Sequence, residues 1–110
     1  MVKENASINI AVTFRHTEST DALKAYAIEK LTHVIQKFSA YDTEASVVLS
    51  VQKLDHTAEV TLHSKVFDAK ATATTHDLYA AIDKVSDNVE TQLRKQKDRL
   101  TDHKHQSLPS

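Results

Sequence analysis

Apolar and polar residues alternate over four segments of the chain, and this period of two predicts four β-strands. The first segment, residues 8–14, runs Ile-Asn-Ile-Ala-Val-Thr-Phe. The other three cover residues 46–53, 57–64 and 66–74. Because short connections join these three segments, we expect them to form an antiparallel meander. Its turns would use Leu-Asp-His and Ser-Lys-Val, which are poor turn formers, so we expect a strained or loose tip near Lys65.

Two longer segments repeat apolar residues at the spacing of an amphipathic helix. The first helix is expected to end near Phe38, with Thr20 as its N-cap and Asp21 in its first turn. The second is expected from about Asp77 to Leu100. Its apolar face comprises Leu78, Ile82, Val85, Val89, Leu93 and Leu100.

The order β-α-β-β-β-α predicts an α+β fold in two layers. Each strand has one apolar face and each helix has one apolar stripe, so both helices should cover the same face of a four-stranded sheet. This arrangement is like that of a double-stranded-RNA-binding domain. We expect a single domain over residues 1–103 and a short flexible tail over residues 104–110.

Composition excludes several classes of protein. The 110 residues contain no cysteine, which excludes disulfides, thiolate zinc sites and cysteine nucleophiles. They also contain no glycine, which phosphate-binding loops and the nucleophile elbow require. There is no apolar run of transmembrane length and no signal-peptide pattern at the start. We therefore expect a cytoplasmic protein with no membrane partner.

The formal net charge of −1 hides an uneven distribution. Residues 1–93 carry a balance of −4, whereas residues 94–110 carry +3. On a helical wheel, five residues of the second helix fall within about 80° and form what we call the polar ridge. The polar ridge comprises Lys84, Asn88, Thr91, Lys95 and Arg99. Spaced cations can meet successive phosphates, although pattern alone favours a solvated helix face.

Evidence for catalytic or metal chemistry is weak. Asp83, Asp87 and Glu90 share a helix face and could in principle hold a divalent cation, but a solvated acidic face is the simpler interpretation. Glu90 is also placed to pair with Arg94 four residues later. None of the seven histidines has zinc-site spacing, and no strained turn presents a nucleophile. We expect no enzyme activity, no cofactor and no metal site.

Five segments of the chain together resemble the short bacterial ribosome hibernation-promoting factors, also called ribosome-associated inhibitors or sigma-54 modulation proteins. The resemblance runs from about Ile8 to His103, and its most specific part is a DLYAAID box followed ten residues later by LRKQK. The segments are VVLSVQK (47–53), HTAEVTLH (56–63), ATAT (71–74), DLYAAID (77–83) and QLRKQKDRL (92–100).

The resemblance implies a cytoplasmic protein, made when growth slows, that binds 16S rRNA of the small ribosomal subunit where mRNA and tRNA would lie. It also implies a monomer off the ribosome and no DNA partner. Two outcomes on the ribosome stay open: 100S dimers formed alongside a separate modulation factor, as with the relatives whose short tail this chain resembles, or inactive monomeric ribosomes, as with relatives whose longer tail obstructs the mRNA path. The family's basic helix faces would contact rRNA phosphates, with Lys53 and Lys70 as lesser candidates. The main candidates are Lys24, Lys30 and Lys37 on the first helix and Lys84, Arg94, Lys95, Lys97 and Arg99 on the second.

Three positions depart from the family pattern. Asn88 and Thr91 stand on the polar ridge where the family usually carries Lys and Arg, and His33 stands where Lys is common. If both ridge positions contact phosphate in relatives, their loss lowers the salt dependence of binding by roughly two units.

Two other kinds of function fit the same fold. A general double-stranded-RNA module is one, although His76 and Asp77 open the last helix where such modules use a lysine cluster. The other is a protein-interaction domain that uses the open sheet face, which would carry Thr57, Thr61, Thr72 and Thr74. Competition by RNA duplex distinguishes the first from a ribosome-specific factor, and salt-insensitive binding would indicate the second.

Overall fold

The computed structural model describes residues 6–39 and 41–106, and it confirms the predicted order of elements and the α+β sandwich. Two helices lie against one face of a four-stranded sheet. The elements are β1 (Ile8–Arg15), α1 (Asp21–Phe38), β2 (Thr43–Gln52), β3 (Asp55–Ser64), β4 (Asp68–Thr75) and α2 (Leu78–Gln106).

The strands lie in the order β1-β2-β3-β4, and the sheet is mixed. β2, β3 and β4 form the expected antiparallel meander, whereas β1 lies parallel to β2 with Ile8 opposite Thr43. A parallel pair needs a crossover connection, and α1 supplies it. The registers leave β1 and β4 as the two edges of the sheet.

The core lies between the sheet and the helices, as the two periodicities predict. Alternate residues of β2, β3 and β4 point toward the helices and are buried, whereas the inward residues of β1 are only partly buried because the helices contact β1 less than they contact β4. Each fully buried Leu, Ile or Val contributes about 1.5–3 kcal/mol. The helix side of the core comprises Ala27, Leu31, Val34 and Ile35 of α1 and Leu78, Ala81, Ile82, Val85, Val89 and Leu93 of α2.

Helix α2 continues to Gln106, beyond its predicted end at Leu100. The prediction followed apolar spacing, but neither glycine nor proline interrupts the helix, so nothing in the local chain ends it there. Leu100 is 54% exposed and does not belong to the core, contrary to its predicted place on the apolar face. The predicted tail is thus helical at residues 104–106, and its residues 107–110 lie outside the described residues. Within the part of the chain described, neither helix has the length and apolar character of a membrane span.

Among the described residues, positive φ values occur at His16 and Lys53 and not at the turn that was predicted to be strained. The β2–β3 turn is formed by Lys53 and Leu54 rather than by Leu54 to His56, and Lys53 has a φ of 58°. The connection at Lys65 does not require a positive φ. There the Ser64 N–H donates to the Phe67 carbonyl at 2.8 Å, and the Phe67 N–H donates to the Ser64 hydroxyl at 3.1 Å. These bonds fix the tip that we expected to be strained or loose.

Two glutamines of α2 satisfy the outer backbone groups of edge strand β4. The Gln92 side chain accepts from the Lys70 N–H at 3.2 Å and donates to the Lys70 carbonyl at 2.8 Å. One turn later, Gln96 makes the same pair of bonds with Asp68, at 3.2 and 2.5 Å. An unpaired strand edge is a template for pairing with another chain, so these amides protect β4 over two of its residues.

We predict that replacing Gln92 and Gln96 together with Ala loosens the edge of β4. The free energy of unfolding should fall by about 1 kcal/mol for each glutamine, because each side chain supplies hydrogen bonds to backbone groups. Amide exchange at Asp68 and Lys70 should become faster. The control is Gln36→Ala, at an exposed position of α1. Equal urea midpoints for the double variant and this control would contradict the assignment.

Candidate nucleic-acid interface

The eight candidate phosphate-binding residues do not form one continuous surface. Those on α2 occupy two sides of the helix, and the wheel places Arg94 about 100° from the middle of the polar ridge. Lys84, Lys95 and Arg99 lie on the side turned away from α1, with Lys95 and Arg99 beside β4. Arg94 lies on the side that faces α1, where it contacts the Phe38 ring. The structure therefore groups the candidates into an outer set and an interhelix set.

The polar ridge is exposed along its whole length. Lys95 and Arg99 line an open groove of about 530 Å³ that also includes Val66 and the two edge-protecting glutamines. Thr91 turns its hydroxyl back to the helix and donates to the Asp87 carbonyl at 3.0 Å. Among the side chains that the structure describes, no carboxylate is paired with Lys84, Lys95 or Arg99. These three cations are therefore available to an external anion.

Asp83 organises the first of two polar clusters between the helices. The Tyr26 hydroxyl donates to the Asp83 carboxylate at 2.6 Å, and the Lys30 ammonium lies 3.4 Å from the same oxygen. Lys30 also lies 6.0 Å from the centre of the Tyr26 ring. The Tyr79 ring meets the Tyr26 ring edge to face at 5.1 Å. We call Tyr26, Lys30 and Asp83 the Asp83 cluster.

Glu90 organises the second cluster. One oxygen of its carboxylate accepts from Lys37 Nζ at 3.1 Å and from Arg94 Nη2 at 2.8 Å. The Arg94 guanidinium also lies 5.7 Å from the centre of the Phe38 ring. Only 19% of the Glu90 side chain is exposed, compared with 46% for Lys37 and 57% for Arg94. We call Lys37, Phe38, Glu90 and Arg94 the Glu90 cluster.

The two clusters show how the helices are aligned. Lys30 pairs with Asp83, and seven residues further along both helices Lys37 pairs with Glu90. Residue numbers increase together on α1 and α2, so the helices run side by side in the same direction. Seven residues are close to two helical turns, which brings the second pair onto the same seam as the first.

Both clusters shift the pKa of a member. The hydrogen bond from Lys37, followed by that from Arg94, lowers the pKa of the Glu90 carboxyl below its ordinary value of 4.5, although partial burial acts in the opposite direction. The hydrogen bond to Asp83 is the main reason that the pKa of the Tyr26 hydroxyl is raised above 10.0. Glu90 thus remains ionised, and Tyr26 remains protonated, at neutral pH.

The acidic face predicted on α2 is solvated only in part. The expected pair between Glu90 and Arg94 is confirmed, but Glu90 and Asp83 are engaged with α1 as well. Asp87 is the exposed member of the three. Of the residues that the structure describes, no three His, Asp or Glu side chains are grouped so that they could hold a metal ion.

The remaining candidates lie apart from both clusters. Lys24 is exposed near the start of α1, and Lys53 occupies the strained β2–β3 turn. Lys70 lies on edge strand β4, where its backbone bonds to Gln92. Lys97 is exposed and is not without an interaction partner.

The open sheet face has the composition predicted for it. Thr57, Thr61, Thr72 and Thr74 alternate with core residues and therefore point away from the helices, and the hydroxyls of Thr57 and Thr74 are 3.0 Å apart. His63 lies on the same face, with its Nδ1 2.5 Å from the Asp68 carboxylate.

Sequence reasoning missed the interhelix role of Tyr26, Asp83 and Glu90. Asp83 and Glu90 are seven residues apart, as are Lys30 and Lys37. That repeated spacing of opposite charges was the available signal, but it is informative only once the two helices are known to lie side by side in the same direction.

Residues 10–101 match the model of a protein family described as Sigma 54 modulation protein / S30EA ribosomal protein. The chain is similar to the ribosome hibernation promoting factor of Escherichia coli strain K12, with 35% identity over 96 residues that cover 87% of this chain and 100% of that protein. It is also similar to the factor of the same name from Azotobacter vinelandii, with 30% identity over 94% of this chain and 95% of that protein.

Solved structures show the same fold. The crystal structure of the Thermus thermophilus Protein Y N-terminal domain superposes with a TM-score of 0.72 and 30% identity, covering 81% of this chain and 97% of that one. A ribosomal subunit interface protein from Coxiella burnetii superposes with a TM-score of 0.72, covering 82% and 98% of the two chains. Its 22% identity supports the likeness of fold alone.

The lowered pKa of Glu90 predicts a pH-dependent stability. Folding favours the ionised carboxylate, so the stabilisation is present above pH 4.5 and is lost as the pH falls through the lowered pKa. Glu90→Gln should therefore reduce the free energy of unfolding at pH 6 by up to about 1 kcal/mol and should have a smaller effect at pH 3. Urea denaturation at the two pH values measures this difference.

The matched control is Glu29→Gln, which makes the same chemical change at an exposed position beside the same interhelix groove. A Glu90→Gln effect that is equal at pH 6 and pH 3, or equal to that of the control, would refute the assigned coupling.

Proposed function

Because the chain belongs to the Sigma 54 modulation protein / S30EA ribosomal protein family, we propose that it binds 16S rRNA of the small ribosomal subunit and blocks translation when growth slows. The relatives named ribosome hibernation promoting factor align over most of this chain and over 89% or more of their own length. Function in this proposal comes from occupying the space of mRNA and tRNA, and no bond is made or broken.

The observation that carries the proposal is the set of cations on the polar ridge that form no ion pair with any side chain that the structure describes. Lys84, Lys95 and Arg99 are exposed at intervals of eleven and four residues along one side of α2. At a rise of 1.5 Å per residue they extend over roughly 22 Å, enough to meet several successive phosphates. When cations neutralise phosphates, the counter-ions condensed on the RNA are released, and this release favours binding. Such a ridge therefore favours RNA over a neutral partner.

The rest of the surface favours a specific partner over generic nucleic acid. The net charge of −1 gives little long-range attraction to any polyanion. Asp77 also places a carboxylate at the start of α2, where its oxygens accept from the Tyr79 and Ala80 N–H groups at 3.3 Å. A double-stranded-RNA module would have cations at this position. Shape fit to the small subunit therefore supplies the selectivity in our proposal.

The same proposal covers location and partners. We expect the protein to act in the cytoplasm, where the ribosomes are, and to be a monomer away from them. In the presence of a ribosome modulation factor we expect 100S dimers, as the resemblance to the hibernation-promoting factors implies.

Reversing the charge of Lys95 and Arg99 should abolish binding to small subunits. Lys95→Glu with Arg99→Glu removes two phosphate contacts and adds two repulsive charges on the polar ridge, so affinity should fall at least 100-fold at low salt, a loss of about 2.7 kcal/mol or more. Co-sedimentation with purified small subunits measures it.

The charge-matched control is Arg15→Glu with Lys65→Glu, at exposed positions on β1 and on the β3–β4 connection. Both double variants change the net charge by −4, and circular dichroism should show both folded. Tight binding by the ridge variant, or equal loss by the control, would contradict the proposed contact surface.

Restoring the family's usual cations should strengthen binding. Asn88→Lys with Thr91→Arg fills the neutral middle of the polar ridge, where both positions are exposed. The slope of log affinity against log salt should steepen by up to about two units, since each phosphate contact contributes about 0.9. Titration of labelled protein with small subunits at several salt concentrations measures the slope, and an unchanged slope would show that these positions do not face phosphate.

A further inference from the structure

Two of the cations that sequence reasoning assigned to phosphate are held within the protein by one carboxylate. We propose that Glu90 acts as an internal counter-ion that keeps Lys37 and Arg94 out of the set of phosphate contacts and thereby limits how many phosphates the protein neutralises. Glu90 is thus a specificity-determining residue for the RNA-binding surface. This inference rests on the proposed function, which supplies the RNA.

The contacts of Glu90 favour retention of both cations. Lys37 and Arg94 donate to the same carboxylate oxygen at 3.1 and 2.8 Å, and the Phe38 ring lies against the Arg94 guanidinium. The carboxylate is only 19% exposed, so salt screens these pairs less than it screens contacts on the open polar ridge. An rRNA phosphate would have to replace two formed hydrogen bonds and would leave a mostly buried carboxylate without partners, which is costly.

The Asp83 cluster holds its cation in the same way but more weakly. Lys30 lies 3.4 Å from Asp83, and both side chains are 40% or more exposed. The Asp83 carboxylate also accepts the Tyr26 hydroxyl, so it would keep a partner if Lys30 left for a phosphate. Lys30 can therefore be released at lower cost than Lys37 or Arg94, and the limit on phosphate contacts resides in Glu90.

The position of Glu90 on α2 supports the separation of roles. The middle of the polar ridge and Glu90 differ by about 140° around the helix axis. On the surface between them, the wheel places two further carboxylates, those of Asp87 and Asp98, both exposed. RNA seated on the polar ridge would therefore meet repulsive charge before it reached the Glu90 cluster. Lys37 and Arg94 are nevertheless 46% and 57% exposed, so loss of their counter-ion would make them available to an anion.

The test measures the salt dependence of binding to small subunits for the wild type, Glu90→Gln and the matched control Glu29→Gln. Both variants change the net charge by +1, and Glu29 forms no ion pair among the side chains that the structure describes. Glu90→Gln should steepen the log–log salt slope by one to two units and bind about 3- to 30-fold more tightly at low salt. Glu29→Gln should keep the wild-type slope, and equal slopes for the two variants would overturn the proposal.

A second pair of variants identifies the cations that Glu90 releases. Lys37→Gln with Arg94→Gln should leave the wild-type slope unchanged, because these side chains do not contact phosphate while Glu90 holds them. The same two changes added to Glu90→Gln should return its slope to the wild-type value. A fall of two units when they are made in the wild type would show that both cations already contact rRNA, which also overturns the proposal.

Elution from phosphocellulose separates this inference from the proposed function. Glu90→Gln should elute at higher salt than Glu29→Gln, because two more cations face the immobilised phosphates. If the wild type fails to bind small subunits while Glu90→Gln still elutes later, the proposed function is wrong and the counter-ion role is supported. If the wild type binds subunits while both variants elute together and share one salt slope, the counter-ion role is wrong and the proposed function stands.

Discussion

Burial of the apolar stripe of α2 is the constraint on which the other features depend. Leu78, Ile82, Val85, Val89 and Leu93 lie against the sheet, and each is 6% exposed or less. Once this stripe is buried, the turn of 100° per residue sets the direction of every other side chain on the helix. Glutamines then meet edge strand β4, carboxylates meet α1, and the polar ridge faces solvent. The charge pattern that matters for function is thus a consequence of packing.

Because of this packing, the two sides of α2 carry different sets of charged side chains. The side toward α1 carries charges of both signs that satisfy each other, as in the Glu90 cluster, and these contacts align the helices. The outer side carries cations that form no ion pair with a described carboxylate, of which Lys95 and Arg99 border a groove. Counting basic residues on a helix therefore overstates the charge available to RNA. A protein of net charge −1 can still present a local cationic surface when its other cations are neutralised internally.

Much of the fold could be predicted from the sequence because it depends on local periodicity. The alternation in the strands and the Thr20 cap, whose hydroxyl accepts from the Leu23 N–H at 3.1 Å, are short-range features that the structure confirms. The predicted end of α2 was wrong because the last residue of the apolar pattern, Leu100, does not mark the end of the helix, and neither glycine nor proline interrupts the chain before Gln106. The strained turn at Lys53 escaped prediction because, with no glycine in the chain, nothing marks a positive φ.

The candidate site was predictable in composition but not in arrangement. The polar ridge follows from the helical wheel alone, and its exposure agrees with that wheel. The hydrogen bond from Lys37 to Glu90 joins residues that are 53 positions apart. It depends on how the two helices pack, and no local sequence pattern predicts it. The bonds from Gln92 and Gln96 to β4 are of the same kind, since they join a helix to a strand edge.

Binding of the wild-type protein to purified small ribosomal subunits, in the presence of excess generic RNA duplex, tests the proposed interface most directly. Co-sedimentation should persist with the duplex present and weaken as salt rises, because in our proposal shape selects the subunit while the ridge cations contact its phosphates. If the duplex displaces the protein from the subunits, or if no co-sedimentation occurs at low salt, the claim that the polar ridge binds a specific ribosomal site is contradicted.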